Sequence, residues 1–213
     1  MQTIQHKKAF IFDMDGTLVD NEHLKGEALA ETCRLHGGQC SSKIYLDVVG
    51  ENYVVVRDYF CRKAKISLTN EQFDLSFKTV YLNLLKQQVH LTDGVYDFLD
   101  RLKEKGFKTA VVSSAQKWSV LALMNKLGIN GHFDFLITLE DVTEHKPSPA
   151  AYLLALDKLD VQAADVLVFE DSAAGLKAAS AAGCQVIMIR HYYNEKQDFS
   201  GALHEIRSFE EIK

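Results

Sequence analysis

The sequence predicts an α/β fold: a doubly wound, Rossmann-like parallel sheet with a helical insertion after its first strand. Three observations lead there. Short apolar runs recur along the chain and are continuous rather than alternating, as in strands buried on both faces of a helix-covered sheet. From residue 94 onward these runs alternate with segments of helical periodicity, the pattern of successive βαβ units. Between Asp20 and about Leu91 no convincing strand run occurs. A βαβ crossover needs only about a dozen connecting residues, and long structureless loops are rare, so this interval is read as helical.

The elements follow in order. KKAFIF, ending before Asp13, is the first strand. In the insertion, Val54–Val56 is β-branched, but Tyr59 and Phe60 extend it at helical spacing, so a helix is expected. Thr69-Asn70-Glu71-Gln72 has capping-box form, with Thr69 as N-cap. Phe73, Phe77, Val80, Tyr81 and Leu84 then mark one face of the helix it opens. Val95, Phe98, Leu99 and Leu102 recur at helical spacing, as do Val120, Leu123, Met124 and Leu127. Gly106 and Gly128 stand where these helices should stop. TAVV before Ser113, HFDFLI at 132–137, VLVF before Glu170 and QVIMI at 185–189 supply the remaining strands. The expected organisation is a core formed by residues 1–20 and 91–213, with 21–90 as a helical cap.

Composition narrows the class of protein. The 213 residues are 47% apolar and 25% charged, as in a globular protein, with a net charge of −5 and no basic stripe to attract nucleic acid. No run approaches the ~20 apolar residues of a membrane span, and MQTIQHKKAF has no leader-like apolar core. Cys33, Cys40, Cys61 and Cys184 show no CxxC spacing and read as reduced thiols of a cytoplasmic protein, expected to be a monomer.

Ligands of open α/β sheets bind beyond the carboxyl ends of the strands. There the sequence puts Asp13 and Asp15, then Ser113 and Ser114, then Glu170 and Asp171. Lys146 lies in His145-Lys146-Pro147-Ser148-Pro149, a piece stiffened by both prolines of the chain. Two carboxylates ~4 Å apart repel by roughly 4 kcal/mol at an effective dielectric near 20, so this cluster needs compensation. With Asp15 protonated, three carboxylates balance one dication and the Lys146 ammonium. All-oxygen ligation without histidine or cysteine suits Mg2+. Such a site suits phosphoryl transfer: Asp13 as the attacking carboxylate, Asp15 as proton donor and acceptor, Lys146 as counter-charge to the phosphoryl oxygens.

DMDGT at 13–17, the serine ending TAVVS, KPSP at 146–149 and FEDSAAG at 169–175 occur in one order. Together they resemble the haloacid dehalogenase-like hydrolases, in particular the β-phosphoglucomutase-like branch with its helical cap. The resemblance implies an Mg2+-dependent phosphatase of a small phosphorylated metabolite, such as a sugar phosphate, acting through an aspartyl-phosphate. It implies Asp13 as nucleophile and metal ligand, and Asp15 as general acid/base with its backbone carbonyl on the metal. Ser113 and Lys146 would hold the phosphoryl group, Asp171 would bind the metal directly and Glu170 through water.

The chain also departs from that pattern. Asp20-Asn21-Glu22-His23-Leu24-Lys25 puts Lys25 where the mutases carry an assisting histidine. Gly50-Glu51-Asn52-Tyr53 lacks the arginine that holds the distal phosphate of a bisphosphate. Hydrolysis is therefore favoured over a sugar phosphomutase, with Ser114 and Lys25, and also Asn52 and Tyr53, as substrate-contacting candidates. A phosphate-storing receiver domain is the third reading; the insertion and Asp15 argue against it. A metal-free dehalogenase is opposed by Asp15 and the Glu170-Asp171 pair.

Overall fold

The structure, a computed structural model, describes residues 6–86 and 89–212. The opening residues 1–5, read above as part of a segment without a leader-like core, lie outside them. The strands are β1 (Ala9–Phe12), β2 (Val19–Asp20), β3 (His90–Leu91), β4 (Lys108–Val112), β5 (Phe135–Ile137), β6 (Val166–Glu170), β7 (Gln185–Ile189) and β8 (His204–Ile206). The helices are α1 (Glu22–Leu35), α2 (Tyr53–Ala64), α3 (Asn70–Leu85), α4 (Val95–Glu104), α5 (Lys117–Leu127), α6 (Ala150–Leu159) and α7 (Ala173–Ala181).

Six strands form one parallel sheet in the order β5-β4-β1-β6-β7-β8. The chain moves outward from β1 to β5, then returns to β6 on the other side of β1. The strand order therefore reverses at β1, the position where open sheets of this kind hold ligands. Strand periodicity explains the two layers. Phe10, Phe12, Val111, Leu167, Phe169 and Ile187 point to one face and pack with α4 and α5. Ala9, Ile11, Ala110, Val112, Val166 and Val168 point to the other and pack with α6 and α7. The first face is aromatic. Phe12 and Phe169 stack at 5.1 Å, and Phe98 meets both edge-on.

α1, α2 and α3 all fall between β2 and β3 and form the helical insertion. Thr69 caps α3 in a full capping box with Gln72, as the sequence predicts. α2 is the helix that Tyr59 and Phe60 indicate. Gly128 ends α5 with φ at 71° and Gly106, just past α4, has φ at 70°.

Three strands escape sequence reading. β2 and β3 pair antiparallel, Val19 with Leu91 and Asp20 with His90, tying together the segments that enter and leave the insertion. Two residues each show no periodicity. β8 is an edge strand with two of its three residues exposed, so it lacks an apolar run. One expected strand is too long: 132–137 shortens to β5. Its front part is a 3-10 turn and a side-chain substitute for the ladder, with the Thr109 N–H donating to Asp134 Oδ2 at 2.8 Å and the Thr109 hydroxyl to the His132 carbonyl at 2.5 Å. No helix among the described residues is long and apolar enough to cross a membrane.

The insertion is seated on the sheet's carboxyl edge. Phe77 and Tyr81 of α3 meet Trp118 of α5 edge-on at 6.2 Å each, and Tyr45 meets Tyr193 at 6.1 Å. Gln197 donates to the Val49 carbonyl at 3.2 Å and accepts from the Ala173 N–H at 2.7 Å, bridging insertion and α7. Gly50, with φ at 89°, lies where a Cβ would come 2.7 Å from Ser172 Cβ. The aromatic layer should dominate stability: Phe169→Ala is expected to cost about 3–5 kcal/mol, read as a lower urea midpoint, against about 1 kcal/mol for Thr69→Ala.

Candidate active site

The site begins where β1 stops. The Asp13 N–H still donates to the Phe169 carbonyl at 2.9 Å, so Asp13 is fixed as if it were ladder. The chain then turns sharply. Gly16 has φ at 78°, and a Cβ there would collide with Asp171 Oδ2 and lie 2.9 Å from His191 Nε2. Glycine is required both for that backbone and for that approach.

Lys146 closes the first circuit. Its Nζ lies 2.7 Å from Asp13 Oδ1, 2.5 Å from Glu170 Oε1 and 3.0 Å from the Val112 carbonyl, which uses all three of its donors. Glu170 is wholly buried and both its oxygens are engaged. Oε1 also accepts from Tyr152 at 2.9 Å. Oε2 accepts from the Asp171 and Ser172 N–H groups and from the Ser172 hydroxyl, at 2.9 to 3.1 Å. The hydroxyl of Ser172 in turn caps α7, accepting from the Gly175 N–H at 3.0 Å. A Cβ on Gly175 would penetrate the Glu170 carboxylate, so this helix start is shaped around the buried acid.

Asp13, Glu170 and Asp171 offer oxygens within 4.8 Å of one another. The crowding shows in their acidity. Burial raises the Asp13 carboxyl well above the usual range; Lys146 opposes this, and Glu170, Asp171 and Asp15 add to it. Burial likewise pushes Asp171 up to about 6, against the pull of His191. For Lys146 burial works downward, but Asp13 and Glu170 outweigh it and the net shift is upward. An excess of hard oxygen anions of this kind fits a divalent cation. Of these three acids Asp13 and Asp171 line the cleft, whereas Glu170 stands behind its wall with its oxygens already bonded.

The insertion supplies the opposite wall. Asp15 Oδ1 accepts from Asn21 Nδ2 at 2.5 Å, and the same amide nitrogen lies 2.7 Å from the Tyr81 hydroxyl of α3. Lys25 Nζ stands 3.4 Å from Asp15 Oδ2 and 3.4 Å from Glu22 Oε1. Among the described residues, Glu22 Oε2, Asn21 Oδ1 and Thr17 Oγ1 are buried without a hydrogen-bond partner. Tyr45, Tyr53, Phe77, Tyr81 and Gln116 complete the cleft.

The structure thus gathers Asp13, Asp15, Lys25, Ser114, Lys146 and Asp171 on one cleft. Ser113 sits just behind it, 5% exposed, its Oγ accepting from the Ala115 N–H at 3.1 Å and keeping its own hydrogen to donate. Asn52 is employed elsewhere, capping α2 through the Val54 and Val55 N–H groups. Tyr53 does reach the cleft, and its hydroxyl donates to Asp74 at 2.6 Å. Sequence reasoning missed Asn21, Glu22, Tyr45, Tyr81, Tyr152 and His191. For Asn21 and Glu22 a signal existed, since they directly follow the first acidic motif. The others come from distant helices and loops and have no local pattern.

Residues 10–189 match the family described as haloacid dehalogenase-like hydrolase, and the chain belongs to it. It is 30% identical to the Phosphorylated carbohydrates phosphatase of Thermotoga maritima, over 84% of this chain and 83% of that one. It is 31% identical to the Validoxylamine A 7'-phosphate phosphatase of Streptomyces hygroscopicus subsp. limoneus, over 83% and 82%. Among solved structures, CbbY from Rhodobacter sphaeroides in complex with phosphate superposes with a TM-score of 0.88 at 29% identity, covering 95% of each chain.

The raised acids predict a pH dependence. Between the ordinary carboxylate range and about pH 6 the folded chain keeps protons that the unfolded chain has lost. The contribution of Asp171 to stability therefore declines as pH rises through that window. Melting of EDTA-treated protein at about pH 4.5 and about pH 7.5 should show this decline, and Mg2+ should offset it at the higher pH. A melting temperature that Mg2+ leaves unmoved there would count against a cation in the carboxylate cluster.

Proposed function

We propose that this haloacid dehalogenase-like hydrolase is an Mg2+-dependent phosphatase of a small phosphorylated carbohydrate, working through an aspartyl-phosphate on Asp13. The observation that carries this reading is the Lys146 ammonium held against Asp13 at 2.7 Å, beside Asp171 and with Asp15 on the same cleft. The names of the relatives support the reaction class and the carbohydrate.

Residues 21–90 act as a cap that shuts water out and reads the leaving group, while 1–20 and 91–213 form the reacting core. Asp13, Asp171 and the Asp15 carbonyl would hold Mg2+; Glu170, expected from the resemblance to act through water, has both oxygens taken by protein donors and instead holds Lys146 and the start of α7 in place. When bound, the ion neutralises phosphoryl oxygens as charge develops. An Asp13 carboxylate oxygen attacks phosphorus while the bond to the leaving oxygen breaks, and Asp15 delivers a proton to that oxygen. Asp15 then takes a proton from water as the water oxygen attacks the aspartyl-phosphate and frees Asp13. Throughout, the Ser113 hydroxyl holds the transferring group, while Lys146 balances Asp13 and turns its Asp13-facing N–H to the phosphoryl oxygens once Asp13 is esterified. Ser114 and Lys25 contact the substrate.

Hydrolysis is preferred to a mutase because the only cations lining the cleft among the described residues are Lys25 and Lys146. Arg57, the nearest arginine of α2 in sequence, faces Asp58 and Asp74. We place the enzyme in the reducing cytoplasm, a reading supported by four free thiols, and expect it to act as a monomer. Asp13→Asn should keep the fold by circular dichroism and lower turnover of the best sugar phosphate by at least about a thousandfold. EDTA should silence the wild type and Mg2+ restore it. Efficient isomerisation of a hexose 1-phosphate in the presence of its bisphosphate would overturn the preference for hydrolysis.

A further inference from the structure

His191 is the residue that the roles above leave out, and its setting is specific. It follows β7 in a tight turn whose bonds determine the state of its ring. The Tyr193 N–H donates to His191 Nδ1 at 3.2 Å, so Nδ1 is the acceptor nitrogen and the hydrogen of the neutral ring sits on Nε2. Nε2 lies 2.9 Å from Asp171 Oδ2. Asn194 locks the same turn, accepting from the His191 N–H at 2.9 Å and donating to the carbonyls of Asp171 and Ile189 at 2.7 and 2.8 Å. The turn thus grips Asp171 twice, by its backbone and by one carboxylate oxygen.

The two ends of this pair face different spaces. Asp171 lines the cleft with Asp13 and Lys146, whereas His191 lines a separate cleft on the side of the β2–β3 ribbon, beside Asp20, His23 and His90. Gly16 lies between them, and its missing side chain is what admits the contact. A carboxylate held by a fixed donor on one oxygen cannot rotate freely, and its other oxygen is then presented in one direction.

We propose that His191 is a positioning residue that fixes the Asp171 carboxylate for cation binding by donating from Nε2 to Oδ2, leaving the second oxygen for the ion. This rests on the Mg2+ reading of the site. Groups that orient a ligating carboxylate are typically worth 10–100-fold in metal affinity.

Titration calorimetry of the full chain with Mg2+ tests the proposal. His191→Leu, which keeps bulk but has no donor, should weaken Mg2+ binding about 10–100-fold, while His191→Gln, which keeps an N–H, should stay within about threefold of wild type. The Mg2+ concentration for half-maximal activity should move in parallel, with the KM for substrate unchanged. If His191→Leu fails to fold, His191→Asn, whose amide is too short to reach Asp171, replaces it against Gln. Equal Mg2+ affinity of the wild type and the donor-free variant overturns the proposal. A wild type that binds no Mg2+ overturns the metal reading and this assignment together, and the two failures are distinguished by which protein shows them.

Discussion

One buried ammonium holds the carboxyl edge of the sheet together. Lys146 satisfies all three of its donors on the Asp13 and Glu170 carboxylates and the Val112 carbonyl, and so links the ends of β1, β6 and β4. These strands are neighbours only because the sheet order places β1 between β4 and β6. Removing one member of such a circuit strands a buried charge, which typically costs about 3–5 kcal/mol, whereas in the intact circuit the desolvation of each charge is offset by its partners. Glu170 extends the same logic into α7, since its second oxygen organises the first turn of that helix. The charge paired with Asp13 and the backbone that carries Asp171 are thus one structure.

What could be read from the sequence and what could not divides along physical lines. Asp13, Asp15, Lys146, Glu170 and Asp171 are legible because each directly follows an apolar strand run or stands in a proline-stiffened loop. Those local patterns survive translation into three dimensions. The saturation of Glu170 is not legible, because its partners Tyr152 and Lys146 come from α6 and the preceding loop and converge only through packing. Tyr81 and His191 are further cases: one lies on the apolar face of α3 like any core residue, the other in a turn without periodicity. The over-long strand at 132–137 reflects a side chain, Asp134, imitating a ladder acceptor.

The two walls of the cleft differ in character. On the sheet side, the polar atoms of Lys146 and Glu170 are matched, and Thr17 Oγ1 in the turn after β1 is the unpartnered exception among the described residues. On the insertion side, Glu22 and Asn21 keep buried oxygens without partners, next to an aromatic surface of Tyr45, Tyr81 and Phe77. Unmatched acceptors are costly when buried, so they are expected where a ligand's own hydroxyls complete them and rare where the protein alone must be stable. The division parallels the assignment of reaction to one wall and recognition to the other.

The β2–β3 ribbon has a consequence beyond its two pairs of residues. Because the polypeptide departs from the sheet and rejoins it through adjacent, mutually paired segments, whatever hangs between them is joined like a pendant on a clasp. The pairing fixes where that insertion leaves and rejoins the sheet, whatever its own internal arrangement. With the insertion reading the leaving group as proposed above, selectivity and reactivity are carried by parts of the chain that meet at one paired junction.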